Sequence, residues 1–139
     1  MTMHLEFVVL GPPISNQQST PQGRRNLAVW RKAVATAAIL QWPNPILQGD
    51  LKAILINFYS TNKPSVDLDN MSKPILDVLQ GIVYDDDRQI RQAELTHAEL
   101  GGVYKIAGVS PFIATALQAD QEFVYIRIEN PVIPFPLPK

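Results

Sequence analysis

The sequence predicts an α+β fold: a small mixed β-sheet packed by two main helices, in β-α-β-α-β-β order with an extra short helix before the last strand. Three observations predict it. Segments 4–10, 51–59 and 122–129 are rich in β-branched and aromatic residues and stop at turn-forming residues, as strands do. Stretches 24–41 and about 70–82 repeat their apolar residues at helical intervals. At 139 residues and 46% hydrophobic, the chain has the size of one domain with a single core, so residues 1–139 are expected to fold as one unit.

Taken in order, His4–Leu10 reads as a central or near-central strand that ends at Gly11-Pro12-Pro13. Ile14 to Gln22 is polar and flanked by prolines, which suits a surface loop. From Arg24 to Gln41, Leu27, Trp30 or Arg31, Val34, Ala38 and Ile39 mark one helix face, and Pro43 ends the element. Leu51–Tyr59 is the second strand. Met71, Ile75, Val78, Leu79 and Ile82 then recur at i, i+4, i+7, i+8 and i+11, so the second helix packs one face on the sheet. Asp69 or Asn70 is the expected cap, Pro74 unsettles the start, and Gly81 terminates the helix. Gln89–His97 is expected as the third strand, with Val103–Val109 as its hairpin partner across Gly101-Gly102. Ser110-Pro111 opens a short helix with a capping serine and a proline at its first position. Glu122–Glu129 alternates as the last strand, and the proline-rich tail 130–139 cannot continue a sheet.

Composition removes several function classes. Without cysteine there are no disulfides, thiolate nucleophiles or cysteine metal sites, which fits a reducing compartment. No apolar run approaches the roughly 20 residues that cross a bilayer, and the N-terminus lacks a signal-peptide pattern. A soluble, cytoplasmic protein with no membrane partner is expected. His4 and His97 are too isolated to form a zinc pair and read as structural; Trp30 and Trp42 read as core.

The formal net charge of −1 argues against a general nucleic-acid binder, but the distribution is uneven. Residues 1–63 carry Arg24, Arg25, Arg31, Lys32, Lys52 and Lys63 against only Glu6 and Asp50. Six of the thirteen acidic residues lie between Asp67 and Asp87. Cations bound there would leave a basic face beside a metal-loaded one. Arg24, Arg25, Arg31, Lys32, Lys63 and Arg88 are the candidates for gripping a DNA backbone, although a solvated helix face explains the first four about as well.

The acidic run is where chemistry concentrates. Asp67 and Asp69 are one residue apart, so in an extended segment their carboxylates project to the same side and repel unless a cation lies between them. Mg²⁺ or Mn²⁺, hard ions that join carboxylates to phosphate, suits that place. A third carboxylate from Asp85 to Asp87 completes the set only if the fold brings it back, because the intervening helix spans roughly 15 Å. Lys73, four residues after Asp69, falls one turn away, where it can meet a phosphate. Against this stands a plainer reading, in which Asp-x-Asp is a strand end or cap, the acidic triplet a solvated turn, and Lys73 a surface lysine paired with Asp69 or Asp77.

The run from Asp67 to Ile90 resembles the signature of RusA-type Holliday junction resolvases. It carries Asp67-Leu68-Asp69-Asn70, Lys73, Leu76-Asp77-Val78-Leu79, Gly81-Ile82-Val83-Tyr84 and Asp86-Asp87-Arg88-Gln89 in order. Gly11-Pro12-Pro13-Ile14-Ser15-Asn16 resembles the family's N-terminal loop less closely. The resemblance implies a homodimer of α+β subunits that uses Mg²⁺, with Mn²⁺ as a substitute, to make paired nicks in branched, four-way DNA during recombination and repair. By motif position it implies Asp67, Asp69 and Asp87 as metal ligands, Asp86 as a further candidate ligand, and Lys73 as the catalytic lysine. The chain departs from the family in being less basic and in a longer 98–121 segment. Two other functions fit the same motif: a non-catalytic DNA-binding or interaction protein that retains the fold, and a nuclease for another nucleic acid.

Overall fold

Alternating burial builds one four-stranded sheet in the computed structural model, which describes residues 3–60 and 62–139. Its strands are β1 (Met3–Leu10), β2 (Leu51–Tyr59), β3 (Ile90–Glu99) and β4 (Phe123–Glu129), in the order β1-β4-β2-β3. β4 runs antiparallel to both β1 and β2, while β3 runs parallel to β2. A parallel neighbour demands a crossover connection, and the second helix supplies it. The helices are α1 (Pro21–Gln41), α2 (Leu68–Leu79) and α3 (Pro111–Gln118).

The main core lies between the sheet and α1 and α2. Leu5, Phe7 and Val9 of β1, Leu51, Ala53 and Leu55 of β2, and Val124, Ile126 and Ile128 of β4 meet Trp30, Val34 and Ala38 of α1 and Met71, Ile75 and Leu79 of α2. On the opposite face Phe58 stacks on Phe123 at 4.4 Å, and Tyr125 and Ile113 of α3 complete a smaller cluster. β1 is an edge strand, not the central one its sequence suggests. Its apolar residues report that α1 packs on one face, and facial burial says nothing about lateral pairing.

Other boundaries move for local reasons. α1 starts at Pro21, inside the expected loop, because Thr20 Oγ1 accepts the Gly23 N–H at 2.9 Å and Pro21 occupies the first turn. Trp30 is buried against the turn after β1, where a Cβ on Gly11 would fall 2.7 Å from its ring; Trp42 is half-buried against the same core, and Ile39 faces out. Residues 103–109 form no strand. Val103 and Ile106 are exposed and only Tyr104 and Val109 reach the second cluster, so the chain crosses toward α3 instead of returning along β3.

α2 begins at Leu68 with Asp67, not Asp69 or Asn70, at the cap position. Pro74 lies inside the helix. Having no N–H, it leaves the Asn70 carbonyl without its helical donor, and the Asn16 N–H takes that place at 3.1 Å. The missing donor thus docks the 11–16 loop onto the crossover helix. Met71, Ile75 and Leu79 are fully buried, Val78 is half-buried, and Gly81 ends the turn at φ +90°. The tail after β4 forms no strand. Gln92 clamps it by accepting the Val132 N–H at 2.9 Å and donating to the Val132 carbonyl at 3.3 Å. Among the described residues, no helix is long and apolar enough to cross a membrane.

Candidate metal and DNA site

The head of α2 lies at the end of the sheet where β2 and β3 finish. Asp67 is the last extended residue (φ −81°, ψ 165°) and Asp69 is already helical. The two carboxylates are therefore not paired by strand geometry, because positions two apart on a helix diverge by about 200°. Asp67 makes no capping bond; its Oδ1 accepts the Asn70 side-chain N–H at 2.8 Å. Asp69 is exposed, and among the described residues its carboxylate has no hydrogen bond or ion pair. Lys73 binds Asp77 at 3.2 Å, one of the two partners the plainer reading allowed.

Arg31 of α1 approaches the same Asp77 at 3.8 Å and the Asn16 carboxamide oxygen at 3.5 Å. Two cations thus share one carboxylate beside the docked loop. Asp67 also borders an open cleft of about 670 Å³ with Ser15, Lys63, Ser65 and His97. Arg24, Arg25 and Lys32 are exposed on α1, and Lys32 faces a separate groove between that helix and β1.

The acidic triplet lies beyond the other end of α2. The Asp87 N–H donates to Gln80 Oε1 at 3.2 Å, which ties it to the helix C-terminus. Asp86 caps the 3₁₀ turn 87–89: its carboxylate accepts the Arg88 N–H at 2.9 Å and the Arg88 guanidinium at 2.7 Å. Those hydrogen bonds hold the Asp86 carboxyl well below the usual carboxylate range and raise the Arg88 guanidinium. Gln89 Oε1 accepts the N–H groups of Asp85 and Asp86, while its Nε2 donates to the carbonyls of Leu47 and Gly49, each at 3.0 Å. Tyr84 donates to the Leu76 carbonyl; burial, then the nearby Asp77 and Asp87 carboxylates, push its phenol up.

Asp67 and Asp87 are thus separated by the length of α2, about 20 Å at 1.5 Å per residue. Among the described residues, no three His, Asp or Glu gather closely enough to hold an ion. A hydrated Mg²⁺ needs only one or two carboxylates alongside substrate phosphate.

Sequence reasoning treated His97 as structural, yet it lines the cleft beside Asp67. Its cross-strand partner is Asn57, whose side-chain Nδ2 lies 3.1 Å from His97 Nδ1. A signal was present: Asn57 continues the inward phase of Leu51, Ala53 and Leu55, a polar residue in a core position. His4, the other histidine, binds the Asn130 side chain at 2.7 Å at the far end of the sheet.

Exposed carboxylates, a lysine one turn along and a cleft beside them define a site suited to phosphate groups. The family model described as Endodeoxyribonuclease RusA matches residues 14–107, well over half of the chain, so the protein belongs to the RusA family of Holliday junction resolvases. The matched span includes residues 14–16 of the docked loop, both ends of α2 and β3. No curated protein matches the chain.

Proposed function

We propose that this protein is a Mg²⁺-dependent, structure-selective endodeoxyribonuclease that acts in the cytoplasm as a homodimer and cuts four-way DNA junctions by paired nicks in recombination and repair. The observation that carries this reading is the exposed Asp69 carboxylate, which has no bond among the described residues and lies two residues from Asp67 and one turn from Lys73 within a RusA-family span. In this reading residues 1–139 are a single nuclease domain, with 130–139 as a Pro-rich tail.

Asp67 and Asp69 would hold the ion, with Mn²⁺ as a substitute, and the bound ion would supply Lewis acidity and a water activated near neutral pH. Lys73, 58% exposed and steadied by Asp77, offers its ammonium to a non-bridging phosphate oxygen as negative charge builds there. Arg31 adds positive charge through the same Asp77. Arg24, Arg25, Lys32 and Lys63 contact the DNA backbone away from the scissile bond. Asp87 supplies the further carboxylate. Its separation from Asp67 by the length of α2 supports a dimer in which each site takes Asp87 from the second copy. Asp86, engaged as a cap, steadies Asp87.

The test is cleavage of a synthetic four-way junction and a matched linear duplex, with Mg²⁺ and with chelator. Wild type should nick the junction in pairs only with metal. Asp69→Asn and Asp87→Asn should each be inactive, and their mixture should regain nicking at one site per dimer. Mixing without recovery places all ligands in one chain. A junction left intact by folded, DNA-binding wild type in both Mg²⁺ and Mn²⁺ establishes the non-catalytic alternative.

A further inference from the structure

Asn57 poses a physical problem. It is 1% exposed on the helix-covered face of β2, following Leu55, where an apolar residue would pack without leaving a polar atom unmatched. Its Oδ1 has no hydrogen-bond partner among the described residues, so the carboxamide is not there to satisfy itself. Its one bond goes to the His97 ring across the β2–β3 pair.

That ring is held on other sides as well. Tyr59 stands edge-on to it at 6.2 Å, and the ring lines the cleft together with Val66 and Asp67. The segment it touches needs an anchor. Asp67 occupies the cap position of α2 without capping it, so the helix start is not fixed by its own side chain, and the Asp67 carboxylate stays turned to other use. The bonds that hold this turn include those of Asn16 to Asn70 and of Asn70 to Asp67, and the His97 ring shares the cleft with the same Val66–Asp67 segment. The ring reaches it from the sheet.

We propose that Asn57 and His97 form a positioning pair: buried Asn57 orients the His97 ring, and the ring fixes the Val66–Asp67 backbone so that the Asp67 carboxylate faces the cleft. The pair acts on Asp67 from behind, as outer-shell partners of metal ligands do. This role rests on the metal-site reading above, and it assigns to His97 no contact with substrate.

The test uses full-length wild type, His97→Leu, His97→Gln, Asn57→Ala and Asp69→Asn. Each is compared by thermal melting, by Mn²⁺ titration followed by electron paramagnetic resonance, and by the Mg²⁺ dependence of junction nicking. His97→Leu should raise the metal concentration for half-occupancy roughly 10-fold, with the junction KM little changed. His97→Gln, which keeps a hydrogen-bonding side chain, should recover most of that loss. If the leucine variant does not fold, Asn57→Ala decides, because it releases the ring while leaving His97 in place. Wild-type metal titration in folded His97→Leu or Asn57→Ala, with Asp69→Asn impaired, overturns the positioning role and leaves the site reading intact. Wild-type metal binding and nicking in Asp69→Asn show that the site itself lies elsewhere, and the proposal falls with it.

Discussion

At the head of α2 the Asp69 carboxylate makes no bond among the described residues and Asp67 ties only to Asn70, whereas beyond its far end the Asp86 carboxylate is engaged by the backbone and guanidinium of Arg88. The two clusters use the same residue type. What separates them is how much of their hydrogen-bonding capacity the fold has taken up. A carboxylate bound by a cap and a guanidinium is part of the turn, while one left to solvent beside a cleft can still take a cation or approach a phosphate. The Asp86 carboxylate is in this respect part of the turn, and the Asp69 carboxylate is not.

Substitutions can break that contrast. The largest expected effect is Asp69→Asn, which should lower junction nicking about 100-fold or more while changing the melting temperature little, since among the described residues the carboxylate has no bond to lose. A fall in melting with activity retained would reverse the assignment. Gln89→Ala should do the opposite. It removes two accepted and two donated hydrogen bonds that pin the triplet to Leu47 and Gly49, costing about 2 kcal/mol or more in urea unfolding. Metal binding by Asp67 and Asp69 should survive in the remaining folded protein.

Pro74→Ala probes the head of α2 from another side. The new N–H competes for the Asn70 carbonyl, so the helix gains while the 11–16 loop loses its dock. Faster amide exchange at Asn16, with little net change in stability, is the expected result; unchanged exchange would show that the loop is held elsewhere.

The smallest effect belongs to Tyr84→Phe, which gives up the 2.6 Å bond to the Leu76 carbonyl for about 1 kcal/mol. It also predicts a pH signature. Burial and the carboxylates of Asp77 and Asp87 raise the Tyr84 phenol, so the folded protein keeps its proton where the unfolded chain loses it, near pH 10. Stability associated with this group is complete below that pH and declines above it. The urea midpoint of wild type should therefore fall more steeply than that of Tyr84→Phe as pH rises past about 10.

Much of this was legible from residue order. The helix stripe Met71, Ile75 and Leu79, the Ser110-Pro111 start and the Gly81 stop all appear where the pattern places them, because helical phase and capping depend on a few neighbouring residues. The geometry of Asp67 and Asp69 was not. A cap at Asp67, two or three residues before the expected Asp69 or Asn70, turns a same-side pair into a divergent one. Nor was the role of Pro74, since the N–H that takes up the freed Asn70 carbonyl comes from Asn16, far away in the chain.

By itself, the sequence determined the strands and main helices, the concentration of aspartates around α2 and membership of the RusA family, because periodicity and motif order are properties of short stretches. The tertiary structure alone decided three further things: that β1 is an edge, that Asp67 and Asp87 lie at opposite ends of α2, and that Asn57 meets His97 across 40 residues of chain. Each depends on which elements lie side by side, and lateral pairing and packing are settled by long-range contacts that no local pattern contains.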